Sequence, residues 1–259
     1  LFLARDRIGE KPMYYAYNAN TFVFSSEIKS ILSSGIISDD LNENGLFEYF
    51  CRTKIAGSST LIKDVKELKP GHYMLVNDLS VRPRQRKYWD LVTEYMIGRD
   101  SKIVNETEAY PAIETSLLQS IESRMISDVP VGLLTSGGID SSVVAGVLAI
   151  KGYQDLKCFC AGNHNNTIDE SPFAQQLVSY INRKTDANFD LVVVKKDLVT
   201  MIDIVERLTY IYDEPLQFSN SIAMYYLCVE AKKYGIKVLL SGEGADELFC
   251  GYDRYERNF

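Results

Sequence analysis

Apolar positions follow two different rules along the chain. From about residue 105 onward, short continuous apolar runs alternate with longer segments of helical spacing. The runs are VPVGLL, LKCFCAG, FDLVVV and IKVLLS. The helical segments are ETEAYPAIETSLLQSIESRMI, SSVVAGVLAI, ESPFAQQLVSYI, KDLVTMIDIVERLTYIY and SIAMYYLCVEAKKYG. In the first of these, Ile113, Leu117, Leu118 and Ile121 share one face. Strands that are apolar throughout are buried on both sides, so the alternation predicts an α/β fold. Its core is a parallel, doubly wound sheet with right-handed crossovers.

The first 90 residues are β-rich instead. FLARD, MYYAY and TFVFSS combine aromatic and β-branched residues and are parted by the turn signals IGEKP and NAN. SSEIKSILSS predicts a short helix opened by a Ser cap, and LNENGLFEYFC places Leu46, Phe47 and Phe50 at helical spacing. Pro70-Gly71 in LKPGHYMLV is a turn feeding a strand. Next, RPRQRKYWD reads as basic and extended and YMIGRDSKIVNET as polar and irregular, which sets a domain boundary near residues 90 to 105.

Composition narrows the function. The chain has 259 residues, 46% hydrophobic and 24% charged, with net charge -7. That balance is ordinary for a soluble protein and argues against a nucleic-acid backbone as the main partner. No apolar stretch is long enough to span a bilayer, and nothing reads as a signal peptide. The chain starts LFLARD, like the middle of a strand, and stops at DRYERNF without a cap, so a piece of a longer protein is expected. Cys51, Cys158, Cys160, Cys228 and Cys250 form no CxxC pair, and buried thiols in a reducing cytoplasm are the expected state. Cys158 and Cys160 would share one strand face, but with only His72 and His164 in the chain a zinc site is not expected.

The chemistry concentrates in LLTSGGIDSSV, residues 133 to 143, at the carboxyl end of a predicted strand, where open parallel sheets bind ligands. Gly137 and Gly138 would let the backbone approach an anion with positive φ. Ser136, Ser141 and Ser142 would add hydroxyl donors, and the helix starting near Ser141 would aim its N-terminus at the same spot. The Lys of the GxxxxGK[ST] phosphate loop is missing, and so is GxGxxG. Asp140 stands beside the phosphate position instead, which makes sense if Mg²⁺ lies between them. At the far end, IKVLL runs into SGEGADELFCGYDRY, with Glu243, Asp246 and Glu247 after a Gly-rich turn. Asp140 and Asp246 could then share one Mg²⁺.

SGGIDSS resembles the SGGxDS pyrophosphate loop of the ATP pyrophosphatases, which cleave ATP between the α and β phosphates. The longer stretch SDVPVGLLTSGGIDSSVVA is similar to the version in glutamine-dependent asparagine synthetases, and SGEGADE with its following GY resembles that family's second anchor. The resemblance implies an adenine nucleotide α-hydrolase-like core, ATP and Mg²⁺. It implies Asp140 and Asp246 as metal aspartates, and Ser136, Gly137, Gly138, Asp140, Ser141 and Ser142 as the pyrophosphate loop. Ser241 and Gly242 would flank the nucleotide, and Leu134 and Ala161 would lie at the adenine. Glu243 would stand near the reacting acyl group; the related β-lactam synthetases carry Tyr there, so Glu favours amidation over ring closure. Asp169, Glu170, Asp213, Glu214, Pro215 and Ser219 to Ser221 also lie in family-like stretches and receive no role. Leu216 to Asn220 departs from the Thr-rich substrate stretch of some members.

LFLARDRIGEKPMYYAY, FVFSSEIKSIL and KELKPGHYMLV resemble the closing part of the family's glutaminase domain, an N-terminal nucleophile hydrolase. The resemblance places the nucleophilic Cys and the glutamine-holding residues upstream, and a catalytic Lys downstream, of this sequence. Cys51 is out of place as a nucleophile, and Arg5, Asp6, Arg7 and Glu27 are expected to be structural. The expected organisation is residues 1–95 as glutaminase remnant with linker and 105–259 as the synthetase domain. The expected reaction is amidation of aspartate by glutamine-derived ammonia through an acyl-adenylate, in the cytoplasm, with a homodimer entertained as the assembly. A sibling acting on another carboxylate, a non-catalytic nucleotide-binding member and an argininosuccinate-type ligase are the alternatives. The intact Asp140 and Asp246 argue against the second, and the glutaminase remnant against the third.

Overall fold

The structure is a computed structural model and describes residues 1–18, 20–162, 169–195, 201–215 and 220–256. Contacts divide the chain into two units, Leu1–Lys102 with Val205–Phe218, and Ile103–Ile204 with Ser219–Phe259.

The first unit contains two antiparallel sheets. Strands β1 (Phe2–Ala4), β5 (His72–Leu75) and β6 (Gln85–Lys87) form one, in the order β1-β5-β6. Strands β2 (Tyr14–Asn18), β3 (Thr21–Ser25) and β4 (Val65–Glu67) form the other, in the order β3-β2-β4. Leu3, Leu68, Met74 and Val76 fill the core beside the first sheet. Ala16 and Val65 of the second pack with Ile28 and Ile31 of helix α1 (Ile28–Leu32). Arg5 is structural, as expected. It is 9% exposed, donates to Glu67 Oε1 at 2.8 Å and to the carbonyls of Lys11, Leu68 and Gly9, and so closes the IGEKP turn. Asp6 takes the Glu10 and Lys11 amides at 2.8 and 3.0 Å.

Two expectations fail here, the Ser cap of α1 and the irregular stretch, while LNENGLFEYFC forms the expected helix. Helix α1 is not capped by a Ser: Glu27 sits at the cap and contributes no side-chain bond, and the Ile28 amide donates to Asp213 Oδ2 at 2.8 Å. In α2 (Glu43–Arg52), capped by Asn42, Phe47 and Phe50 point outward, 71% and 77% exposed, and Gly45 is the buried residue. The stretch read as irregular contains α3 (Leu91–Asp100), because Asp90 takes both the Thr93 amide and the Thr93 hydroxyl. The basic extended stretch before it supplies β6, whose Tyr73↔Arg86 pairing extends the first sheet.

The second unit opens with α4 (Glu106–Arg124), in which Ile121 alone of the expected face is fully buried. Strands β7 (Val131–Leu134), β8 (Lys157–Gly162), β9 (Asp190–Lys195) and β10 (Val238–Leu240) form a parallel sheet in the order β10-β7-β8-β9. Helices α5 (Ile139–Ile150) and α6 (Ser171–Lys184) cover one face, where Leu133 and Cys158 pack with Ala145, Leu148, Val178 and Ile181. Helix α8 (Asn220–Lys233) covers the other, where Phe159 and Val194 pack with Leu227 and Ala231. Covering on both faces explains the uninterrupted apolar strands. Helix α7 (Met201–Tyr212) precedes α8, and the short helices α9 (Ala245–Phe249) and α10 (Asp253–Glu256) follow β10. The chain leaves β7 and β10 next to each other at the point where strand order reverses, and a crevice forms at the strand carboxyl ends there.

Candidate active site

The pairing of β10 with β7, Leu240 opposite Leu133, sets the two Gly-rich loops side by side. Gly242 shows how close they come. A Cβ there would lie 2.9 Å from both the carbonyl carbon and the Cβ of Asp140 and 3.0 Å from the Ser141 nitrogen. Only a residue without a side chain lets the second loop rest on the first. The result is a cleft of about 480 Å³ lined by Leu134, Ser136, Asp140, Ser141, Ala161, Ser241, Gly242, Glu243 and Asp246, among others.

The first loop is braced internally. Ser141, 8% exposed, takes the Ser136 amide at 3.2 Å, lies 3.1 Å from the Ser136 hydroxyl and donates to the Gly138 carbonyl at 3.2 Å. Ser136 Oγ in turn takes the Gly138 amide at 3.2 Å. These hydroxyls therefore shape the loop as well as line the cleft. Of the two glycines only Gly137 has positive φ, +81°; Gly138 is the extended N-cap of α5, at φ -68°, which corrects the expectation for it. Helix α5 begins at Ile139, two residues before Ser141. Gly138 offers no side chain to cap it, so its first amides are left for an anion. Gly137 and Ser142 border a neighbouring groove along α6 with Phe173 and Arg183.

In the second loop, Gly244 at φ +93° starts α9, which carries Asp246 in its first turn. The Gly251 amide donates to the Asp246 carbonyl at 3.0 Å, and a Cβ at Gly251 would strike the Asp246 carboxylate. Tyr252 donates to Glu247 Oε1 at 2.8 Å. Glu243 is exposed at the rim of the cleft, its amide 3.4 Å from Ser241 Oγ.

Asp140 and Asp246 are hard oxygen donors on one cleft. Among the described residues no group of three His, Cys, Asp or Glu side chains forms a closed ligand set. Two carboxylates with room beside them suit Mg²⁺, which keeps several waters and completes its shell with phosphate oxygens.

The cleft also contains residues for which no site role was expected. Cys160 lies beneath it with a thiol pushed up to about 11 by burial and then by Glu170 and Asp169, which leaves it inert. Cys158 is pushed up to about 12, mainly by burial. Asn220, Ala223 and Met224 at the start of α8 line the opposite wall. Thr135 is 2% exposed, and its hydroxyl has no partner among the described residues. An unpaired buried hydroxyl costs about 1–3 kcal/mol, so Thr135→Val should raise stability by about 1 kcal/mol in urea unfolding without nucleotide. A loss of stability instead would show that the hydroxyl is satisfied in solution.

Comparison with known proteins shows the family. Asparagine synthase matches residues 112–259, and a glutamine amidotransferase domain matches residues 1–89. Asparagine synthetase (glutamine-hydrolyzing) 1 of Bacillus subtilis is 30% identical over 98% of this chain and 38% of its own length. Amidase chyE of Penicillium rubens is 33% identical over 98% of this chain and 38% of its own. The chain thus spans well under half the length of these curated relatives. With more than half of its residues matched, the chain belongs to the asparagine synthase family.

Proposed function

We propose that the protein containing this chain makes an amide from a carboxylic acid, ATP and glutamine-derived ammonia, with aspartate as the acid and asparagine as the product. The observation that carries the reading is Gly242 seated on the Asp140–Ser141 backbone, which joins both loops in one cleft. In this proposal a substrate carboxylate attacks the α-phosphorus of ATP, and pyrophosphate leaves into the Ser136–Ser142 loop. The uncapped amides of α5 and the Gly137 turn then meet the departing charge. Asp140 and Asp246 would hold Mg²⁺, which supplies charge neutralisation on the phosphates. Leu134 and Ala161, at the strand ends, would lie against the adenine, with Ser241 and Gly242 flanking the nucleotide.

Ammonia attacks the acyl-adenylate and releases AMP, so one difficult step becomes two easier ones. In this proposal Glu243, on the rim, takes a proton from the attacking ammonia. Residues 1–89 supply part of the glutamine-hydrolysing domain. The five unpaired cysteines favour a reducing, cytoplasmic setting, and a homodimer completes the proposal.

The test is a pyrophosphate-release screen of the protein against candidate carboxylates, aspartate first. Aspartate-dependent release with asparagine as product is expected, and release with no acid tested would overturn the reading. Glu243→Ala should slow amide formation at least tenfold while leaving ATP affinity within about twofold; equal losses of both would remove Glu243 from proton transfer. A different acid is the second reading. It is favoured by the Leu216 to Asn220 stretch, which departs from the Thr-rich pattern, and by the likeness to proteins named amidases.

A further inference from the structure

Helix α6 is capped by Asp169, which leaves the acid beside it unused. The Ser171 amide donates to Asp169 Oδ1 at 3.0 Å, and Pro172 has no amide hydrogen. The Phe173 and Ala174 amides donate to the Glu170 carbonyl at 3.0 and 3.1 Å. Every amide that opens the helix is thus taken. Glu170 stands at the cap position, where a side-chain oxygen ordinarily accepts one of those bonds, yet its carboxylate accepts none. Among the described residues that carboxylate makes no hydrogen bond or ion pair.

The spare carboxylate lines the cleft. Two observations fix its place there. The start of α6 is pressed on the first loop, since a Cβ at Gly137 would lie 2.6 Å from the Ala174 nitrogen. Glu170 is also near enough to Cys160 to help raise its thiol, after burial. Side chains alternate along β8: Cys158 packs toward α5 and α6, and Phe159 toward α8. Cys160 therefore faces α6, and Ala161 faces α8. Glu170 stands beside the strand end that carries Ala161 and beside the loop that carries Gly137.

Charge decides what such a group can meet. In the proposed reaction Asp140 and Asp246 serve Mg²⁺, and Glu243 serves the attacking ammonia. A further carboxylate repels phosphate. It has acceptors only, so it calls for donors. The vicinal hydroxyls of a ribose offer two, matched to its two oxygens, and acids hold ribose hydroxyls in other parallel sheets. Adenine offers one amino group next to a ring-nitrogen acceptor that would repel a carboxylate. With the base at Leu134 and Ala161 and the phosphates at the Gly137 loop, the sugar falls between them, on the side of Glu170.

We propose that Glu170 is a specificity residue that accepts hydrogen bonds from the ribose hydroxyls of ATP and so selects ribonucleotides over deoxynucleotides. This rests on the proposed ATP site, and the test separates the two.

The chain is titrated with ATP and with 2′,3′-dideoxy-ATP, both with Mg²⁺, in wild type and in Glu170→Ala. The four affinities form a cycle in which one change removes the hydroxyls and the other the carboxylate. Hydrogen bonds to a charged acceptor are strong, but Glu170 is exposed. Wild type should therefore bind ATP roughly tenfold more tightly than the dideoxy nucleotide. Glu170→Ala should bind the two within about twofold of each other, near the wild-type affinity for the dideoxy form. Its urea midpoint should stay near the wild-type value, because the carboxylate caps nothing. Glu170→Gln keeps one acceptor oxygen and should show an intermediate ratio. Should Glu170→Ala fail to fold, an unchanged ratio in Glu170→Gln would overturn the proposal. A ratio that survives Glu170→Ala would overturn it too, even if both affinities fall. Equal binding of both nucleotides by wild type would overturn it and leave the ATP site standing. A wild-type chain that binds neither nucleotide would overturn the ATP site and the proposal with it.

Discussion

Asp140→Ala is expected to lower Mg²⁺-dependent pyrophosphate release at least about a thousandfold, a loss of roughly 4 kcal/mol of transition-state stabilisation. The size follows from position. Asp140 is half-buried in the first turn of α5 and lines the cleft where the second loop, through Gly242, touches its own backbone. A cation there would neutralise charge on the phosphates where no Lys is supplied by the loop. The fold should survive the change. Ala suits a helix, and the lost contact with the helix dipole is worth only about 0.3–1 kcal/mol. Pyrophosphate release measured against Mg²⁺ concentration, beside a thermal melt, separates the two effects. Release at the wild-type rate in a folded variant would remove Asp140 from the site. Asp246→Asn should behave alike.

The second large effect is structural, and it comes with an internal control. Gly137→Ala puts a side chain at φ +81°, and its Cβ would lie 2.6 Å from the Ala174 nitrogen and closer still to the Phe173 backbone. The left-handed conformation alone costs roughly 1–2 kcal/mol. Because the obstacle is backbone, the loop or the start of α6 must also move, and a total loss of about 3 kcal/mol is expected. Gly146, in the middle of α5, has nothing within 4 Å of an added Cβ and no positive φ. There the same substitution should stabilise by about 0.5–1 kcal/mol. Urea unfolding of the two variants should therefore shift in opposite directions. Equal shifts would mean that the Gly137 turn is not held against Phe173 as the structure shows. The Gly137 variant should also lose nucleotide affinity, because the displaced loop carries the Ser136 and Ser141 hydroxyls.

What the sequence made legible was whatever depends on near neighbours. VGLL, KCFCAG and DLVVVK announce strands buried on both faces, and the helices between them follow from spacing alone. The meeting of the two loops was readable because both lie at strand ends, and strand ends in a parallel sheet share an edge. The misses have a common cause. The cap of α1 comes from Asp213, 185 residues away, and no local pattern could name it. Helix α3 has no buried residue, so its apolar spacing was misleadingly weak and only the Asp90 cap marks it. LNENGLFEYFC was legible as a helix, though its spacing did not show that Phe47 and Phe50 would be exposed and Gly45 buried. Thr135 received no reading of its own within LLTSGGIDSSV, since whether a hydroxyl has a partner is a property of the packed state.

The pairing of Leu240 with Leu133 carries a consequence for how the protein is born. On the ribosome the loop bearing Asp140 emerges long before the loop bearing Asp246. Strand β10, only three residues long and at the sheet edge, has to find its place beside a strand made much earlier. Such distant parallel pairing forms late, after loop closure has been offset by other contacts. The cleft between the two loops is thus among the last features to appear. During synthesis the nascent chain would hold the Ser136–Ser142 loop alone, one wall of the cleft without the other.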